Sequence, residues 1–255
     1  MAAGAVNGRK THIKKMNRPI VGVLGGMGGL ASAEFVKTIY EFSGEVSVPE
    51  QDAPVVLLHS DPTFPDRTEA LLRGDNELLL GKLTESLESL CGMGASQLVI
   101  CCMTIHYLLP QVPEALRQRI ISLTDVIFSS VESLGKKHVV ICSHGTARLQ
   151  LFQRHPRWEQ AADYFIFPSE ADQQRMHELI YDMKLNRNLG AAGLFIDTLL
   201  TRYQADSFVA GCSEIHLLAK QYDASNCVDP LTIIARQIVD QHQVKPLAAT
   251  EGNQG

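Results

Sequence analysis

The chain has 255 residues, of which 45% are hydrophobic and 20% charged, a composition typical of a globular protein that buries a sizeable core. A formal net charge of −5 argues against nucleic acid as a partner, because proteins that bind it usually carry a basic surface. No apolar run reaches the roughly 18 residues of a membrane-spanning helix, so we expect no membrane partner.

The first eighteen residues are basic, and no secretory apolar segment follows them. We expect a disordered extension at 1–18 and a disordered tail at 243–255. Without a secretion signal, the six cysteines do not imply disulfides, and the cytoplasm is the expected location. No C-x-x-C pair or zinc-finger spacing occurs, so no metal is expected.

Short β-branched runs alternate with longer segments of helical period, which predicts an α/β protein with mainly parallel sheets. The predicted strands are 19–25, 54–60, 97–102, 119–123, 138–143, 163–168 and 207–212. The predicted helices are 30–43, 75–93, 124–135, 169–185 and 190–204. A crossing point between two halves is predicted at "SLGKKH" (133–138).

Two strand ends repeat one pattern. The runs "ASQLVICCMT" and "ADSFVAGCSE" each lead from an apolar strand to a cysteine, Cys102 or Cys212, with a hydroxyl side chain within the next two residues. Open α/β sheets bind ligands at strand carboxyl ends, where the N–H groups of a following helix favour a thiolate. Both are therefore candidate reactive thiols. The other cysteines fit small core residues: Cys91, Cys101, Cys142 and Cys227.

The segment "GVLGGMGGLAS" (22–32) follows the first strand and opens a helix. Its glycines allow a close approach of backbone N–H groups to an anion. The segment only loosely approaches the dinucleotide fingerprint, and it lacks the lysine of a P-loop. A small carboxylate is therefore the better fit than a nucleotide.

The loop "DPTFPDRT" (61–68) contains Arg67, whose guanidinium can bind a carboxylate through two parallel hydrogen bonds. The alternative is an ion pair on the surface with Asp61, Asp66 or Glu69. The sequence leaves both roles open.

The motifs "GVLGGMGGLAS", "PDRT", "CMTIH" and "GCSEI", in this order and spacing, resemble the cofactor-independent aspartate/glutamate racemase superfamily over about residues 19 to 240. The glycine loop resembles its aspartate racemase branch. The resemblance implies two similar α/β domains, with mainly parallel sheets flanked by helices and an active site in the cleft between them. The first would be 19–122 plus 228–242, and the second 123–227. A homodimer without cofactor is also implied.

The resemblance also implies the roles of single residues. Cys102 and Cys212 would be the base and the acid that exchange the Cα proton of a small dicarboxylic amino acid, aspartate first and glutamate second. Two thiols on opposite faces of one carbon can do this without a metal or an organic cofactor. The substrate-binding residues would be Met27, Gly28, Arg67, Thr104, Thr146 and Ser213. The supporting residues would be His106, His144, Lys184 and Glu214.

Three positions depart from the family pattern. Met103 stands where the family has asparagine after the first cysteine, and Gly29 stands where it has proline. The family's lysine aligns with Leu185, and Lys184 lies one residue earlier, which is a rotation of ~100° on a helix. These departures leave the substrate less determined than the type of reaction.

Several alternatives stay open. His144 also fits a loop histidine, His216 either tunes Cys212 or packs against its surroundings, and Glu214 also fits the acid that a helix N-terminus favours. Within the superfamily, maleate isomerisation, malonate decarboxylation or hydantoin racemisation would use related cysteines. A carboxylate-binding regulator without turnover is the non-enzymatic alternative, and Met103 is the feature that favours it.

Overall fold

The computed structural model describes residues 19–74 and 76–243 of the chain. The expected extension at 1–18 and, apart from its first residue, the expected tail at 243–255 lie outside the described residues. Within the described part of the chain, no helix is long and apolar enough to span a membrane.

Strands and helices alternate along the chain. The strands are β1 (Ile20–Gly25), β2 (Val55–Ser60), β3 (Gln97–Ile100), β4 (His138–Cys142), β5 (Phe165–Ile166), β6 (Phe208–Gly211) and β7 (Cys227–Val228). The α-helices are α1 (Gly29–Glu45), α2 (Arg67–Arg73), α3 (Asn76–Gly92), α4 (Glu114–Arg117), α5 (Leu123–Leu134), α6 (His144–Arg148), α7 (Trp158–Ala161), α8 (Glu170–Lys184), α9 (Leu189–Tyr203), α10 (His216–Ala219) and α11 (Pro230–Gln243). Short 3₁₀ helices are Glu50–Asp52, Thr104–Gln111, Ala162–Tyr164 and Ser213–Ile215.

The strands form two sheets in which each pair is parallel. In the first sheet β1 lies between β2 and β3, and in the second the order is β5, β4, β6, β7. The central strands β1 and β4 are buried on both faces, which explains their nearly continuous apolar sequences. The predicted fold class is confirmed: an α/β protein with mainly parallel sheets flanked by helices.

The five predicted helices form, each within two residues of its expected bounds, as α1, α3, α5, α8 and α9. The predicted strand at 119–123 is wrong, because that segment contributes only a single bridge between Ile120 and Leu98. The chain then turns into α5, where the Ser122 hydroxyl accepts a hydrogen bond from the Asp125 N–H at 3.1 Å. This N-cap satisfies a helix N–H and ends the extended segment.

Side-chain caps also fix two short helices after strand ends. Asp66 accepts a hydrogen bond from the Glu69 N–H at 3.0 Å, so Arg67 is the first residue of α2. Ser143 accepts one from the Thr146 N–H at 3.2 Å and starts α6. The caps place α2 beyond β2 and α6 directly beyond β4, on the ligand-binding side of a parallel sheet.

The two sheets share one hydrophobic cluster. It contains Val21 of β1, Val140 of β4, Phe128 of α5 and Ile238 of α11, all buried. Two further clusters each pack against one sheet. Because burial of the shared cluster holds the sheets together, the loops after β3 and β6 lie close to one another.

Candidate active site

The chain segments after β3 and β6 line one small cavity. Its volume is about 10 Å³, room for about one water molecule, so its walls must separate to admit an amino acid. The lining residues are Met27, Asp66, Arg67, Thr68, Cys102, Met103, Thr104, Ser143, Lys184, Cys212, Ser213 and Glu214.

The two candidate cysteines reach this cavity from different sheets. Cys102 is the second residue after β3, Cys212 is the first after β6, and they are 5% and 7% exposed. The neighbouring Cys101 is buried in the shared hydrophobic cluster, where burial raises the pKa of its thiol well above the ordinary value. The chain bends at Cys101, where the Cys102 N–H donates to the Ile100 carbonyl oxygen at 2.8 Å, and one thiol of the pair packs in the core while the other lines the cavity.

Glu214 holds the second cysteine. The Cys212 thiol donates a hydrogen bond to Glu214 Oε2 at 2.8 Å, and the Ser213 hydroxyl donates to the same oxygen at 3.3 Å. Burial raises the pKa of Cys212 well above its ordinary value, and the charge of Glu214 adds to the effect. Both contributions favour the protonated thiol.

Gly28 does not itself line the cavity but leaves room for the Glu214 side chain. A Cβ atom at Gly28 would lie 2.1 Å from Glu214 Oε1, which is far inside van der Waals contact. Gly26, two residues earlier, has φ 88°, and a Cβ there would meet the Asp61 backbone at 2.4 Å. These two positions explain why the loop after β1 is rich in glycine.

Arg67 is fixed beside Cys102. Its Nη2 donates to the Met27 carbonyl oxygen at 2.8 Å and its Nη1 to that of Pro65 at 2.9 Å. Its Nε is buried and has no hydrogen-bond partner among the described residues. Burial opposes the charge of Arg67, yet its interactions with Cys102 and Asp66 raise the pKa of its guanidinium above the ordinary value. The guanidinium is therefore held as a rigid cation at the cavity wall.

The three acidic residues that the sequence offered as surface partners of Arg67 have other partners. Within the described residues, none of them forms an ion pair with this arginine. The structure therefore does not contain the surface ion pair that the sequence left open for Arg67. Their partners are Lys82 for Asp61 at 3.1 Å, Arg73 for Glu69 at 3.4 Å and Tyr181 for Asp66 at 2.6 Å.

Lys184, and not Leu185, lines the cavity. The Lys184 Nζ lies 4.1 Å from the centre of the Tyr181 ring, whereas Leu185 is 63% exposed. Burial opposes the ionisation of Asp66, but the Tyr181 hydroxyl and nearby cations, Lys184 among them, hold the pKa of this carboxyl below its ordinary value. The position that the resemblance aligned with lysine therefore points to solvent, and the preceding lysine contributes its charge to the cavity.

Three buried hydroxyls connect the two halves of the site. Thr104 lies 3.0 Å from the hydroxyl oxygens of both Ser143 and Thr146, which are 3.2 Å apart. Thr104 follows β3, whereas the other two begin α6 after β4. Thr146 is not among the lining residues and is linked to the cavity through Thr104 and Ser143, which both line it. A bonded trio of hydroxyls can turn its protons toward an anion without moving the backbone.

Two of the predicted supporting residues lie elsewhere. His106 lines a separate cleft, and burial lowers the pKa of its imidazole to about 4. His144 is half-buried at the start of α6, and its backbone N–H donates to His177 Nδ1 at 3.3 Å. In the part of the chain that the structure describes, no group of three or more His, Cys, Asp or Glu side chains is arranged to hold a metal ion.

His216 packs rather than contacting the Cys212 thiol. It is fully buried, lies 2.6 Å from Asp229 Oδ2 through Nδ1 and 3.1 Å from the Thr38 hydroxyl through Nε2. Asp229 in turn accepts a hydrogen bond from the Thr232 N–H at the start of α11. This network ties α10 to α1 and α11.

Sequence reasoning missed Thr68, Ser143 and Tyr181. Ser143 had a usable signal, because a serine directly after a strand and before a helical segment is a common N-cap. Tyr181 had no such sequence signal, since its hydrogen-bond partner Asp66 is 115 positions away in the chain.

Comparison with known proteins agrees with this architecture. A family model described as Asp/Glu/Hydantoin racemase matches residues 24–238. The structure of Picrophilus torridus aspartate racemase superposes with a TM-score of 0.74 at 18% identity, covering 88% of this chain and 94% of that chain. A putative Asp/Glu racemase from Yersinia pestis gives 0.67 at 20% identity, covering 88% and 99%. Glutamate racemase from Campylobacter jejuni gives 0.54 at 14% identity, covering 88% and 86%.

At these identities the solved structures establish the fold, and the family model establishes the relationship. The match spans most of the chain, so the resemblance read from its motifs is confirmed. The chain is an enzyme of the isomerase class and belongs to the Asp/Glu/hydantoin racemase family.

Proposed function

We propose that this protein racemises an acidic amino acid without pyridoxal phosphate, that aspartate is its substrate, and that Cys102 and Cys212 are the two bases. The observation that carries the proposal is the convergence of one strand-end cysteine from each sheet on a single small cavity. Two cations, Arg67 and Lys184, line the same cavity and suit a substrate with two carboxylates.

The reaction needs one thiolate and one thiol. The thiolate removes the Cα proton, and the thiol on the opposite face of the carbon delivers its own proton to give the mirror-image product. Each turnover leaves the first cysteine protonated and the second as thiolate, so the reverse reaction exchanges their roles. No electron leaves the substrate, and the protons balance.

The surroundings of the two sulfurs differ, and the proposal assigns the two roles accordingly. Cys212 donates its proton to Glu214 at 2.8 Å and is the acid. Cys102 lies beside the Arg67 guanidinium and, within the proposal, is the base.

Donors for the developing charge come from several elements. As Cα loses its proton, charge spreads to the α-carboxylate, and preorganised donors in a closed site stabilise it. The hydroxyls of Thr104 and Ser213 line the cavity and can serve there. The free Nε of Arg67 and the Lys184 ammonium remain for the side-chain carboxylate. The Met103 side chain has no amide to donate, so these hydroxyls take the part of the family's asparagine.

The proposal is tested by incubating the protein with L- and D-aspartate in D2O, without pyridoxal phosphate, and following α-deuteration by NMR and chirality by chiral chromatography. Exchange at Cα with conversion in both directions is expected. Glutamate, a hydantoin and maleate are run in parallel. Reaction with one of these and not with aspartate would show that the substrate is wrong, and binding of aspartate without exchange would favour a regulator.

A pair of cysteine variants checks the assignment. Cys212→Ser is expected to abolish net racemisation, because a serine hydroxyl is a much weaker acid than a thiol. Cys91→Ser removes a thiol on α3 outside the cavity and is expected to keep wild-type turnover. Equal activity of the two variants would contradict the two-thiol mechanism.

The homodimer and the cytoplasmic location remain predictions. Analytical ultracentrifugation tests the first, and cell fractionation tests the second.

A further inference from the structure

A second cleft, of about 670 Å³, lies between the 3₁₀ helix Thr104–Gln111 and the start of α5. Its volume is in the range of small-molecule sites. It shares no lining residue with the candidate active site. Its remaining wall is formed by the segment 151–156, which follows α6.

His106 lines this cleft with unused hydrogen-bonding capacity. It is 4% exposed, and neither ring nitrogen makes a well-formed hydrogen bond within the described residues. Burial lowers the pKa of His106 to about 4, against the smaller opposing effect of a weak hydrogen bond to the Ile100 backbone, so at neutral pH the ring has one donor and one acceptor, at most one of them used. Buried polar groups are rarely left without a partner, because the lost hydration is not replaced.

Arg154 supplies the free positive charge of the cleft. Its Nε donates to the Leu149 carbonyl oxygen at 2.9 Å, and its guanidinium lies 5.2 Å from the centre of the Tyr107 ring. No carboxylate in the described ranges forms an ion pair with it. The other charged groups of the cleft already have partners: Arg117 with Glu114, and Asp125 with His155.

Apolar side chains also line the cleft. They are Leu109, Ile120, Leu151 and Pro156. An occupant therefore needs an anionic group for Arg154, a flat apolar body, and a polar group for the imidazole.

We propose that this cleft binds a small aromatic carboxylate, with Arg154 holding the carboxylate and His106 bonding a polar substituent on the ring. The proposal does not depend on the racemase activity, because none of its residues lines the candidate active site. Charge-assisted hydrogen bonds to a guanidinium supply the specificity for an anion.

The test uses the full chain and 4-hydroxybenzoate as probe, with 4-hydroxybenzyl alcohol as the matched neutral compound. Binding is followed by calorimetry and by the fluorescence of Trp158, the one tryptophan of the chain, which lies two residues beyond Pro156. Saturable one-to-one binding with a Kd below about 1 mM is expected for the acid, and binding about tenfold weaker or less for the alcohol.

Two variants locate the site. R154Q removes the charge and is expected to weaken binding of the acid about tenfold or more, while R154K retains part of it. H106L is also expected to weaken binding but to keep or raise the Tm, because it removes an unpartnered buried polar group; a purely structural histidine would lower the Tm on replacement. Any of four results would overturn the proposal: no saturable binding, equal affinity for the alcohol, an unchanged Kd in R154Q, or displacement of the probe by L-aspartate.

Discussion

The contact between Gly28 and Glu214 gives the sharpest test of the site. Gly28→Ala places a methyl group 2.1 Å from Glu214 Oε1, so the carboxylate must retreat by about 1.3 Å to reach a contact of 3.4 Å. Gly28 has φ −145° and ψ 111°, which alanine adopts freely, so the contact alone produces the effect. Because Oε1 ends a flexible side chain, we expect a loss of unfolding free energy of only about 1 kcal/mol.

Turnover is expected to respond far more than stability. The hydrogen bond from Cys212 to Glu214 is 2.8 Å long and cannot survive a displacement of that size unchanged. A shift of about 1 Å in a positioned group can reduce turnover about 10²-fold. The assay is α-proton exchange of aspartate in D2O by NMR, with thermal unfolding measured on the same preparation.

Gly29→Ala is the matched control. A Cβ at Gly29 meets nothing within 4 Å, and the residue is the first of α1, so alanine there is expected to leave turnover unchanged and stability equal or slightly higher. Wild-type turnover in Gly28→Ala would refute the role given to Glu214. A large stability loss in that variant would refute the statement that its carboxylate is free to move.

Three further predictions concern the surroundings of the site. Tyr181→Phe removes the 2.6 Å hydrogen bond to Asp66 and should lower the unfolding free energy by about 1 kcal/mol and raise the KM, measured by thermal unfolding and initial rates. Lys184→Met should raise the KM for aspartate, whereas Leu185→Lys, at an exposed position, should leave it unchanged; a KM that falls in Leu185→Lys and does not change in Lys184→Met would restore the alignment of Leu185 with the family lysine. For His106, the unfolded chain takes up a proton near pH 6.5 and the folded protein only near about 4, so the folded state should lose up to about 3 kcal/mol as the pH falls through this window. Urea unfolding at pH 4.5 and 7 should show a smaller difference in H106L, and an equal difference would contradict the assigned burial.

Most of the secondary structure of this protein could be predicted from local sequence patterns. Apolar residues spaced with a period of two or of 3.6, with glycine and proline between such segments, predicted five helices and most strands. The spacing is informative because only one face of each element is buried in most cases. The two strand-end cysteines and Arg67 were also found from sequence, since ligand sites in parallel sheets recur at strand carboxyl ends. The strand prediction at 119–123 was wrong because a segment of five residues is too short to distinguish a helical from a strand period.

The tertiary structure alone decided which neighbours these residues meet. Gly28 accommodates Glu214, Tyr181 binds Asp66, and His106 lines a cleft away from the thiol four residues before it. Such contacts join positions more than one hundred residues apart, or depend on the turn that a loop takes after its strand. The local sequence pattern predicts neither the long-range contacts nor the path of the loops, because both depend on how the two sheets pack against their shared core.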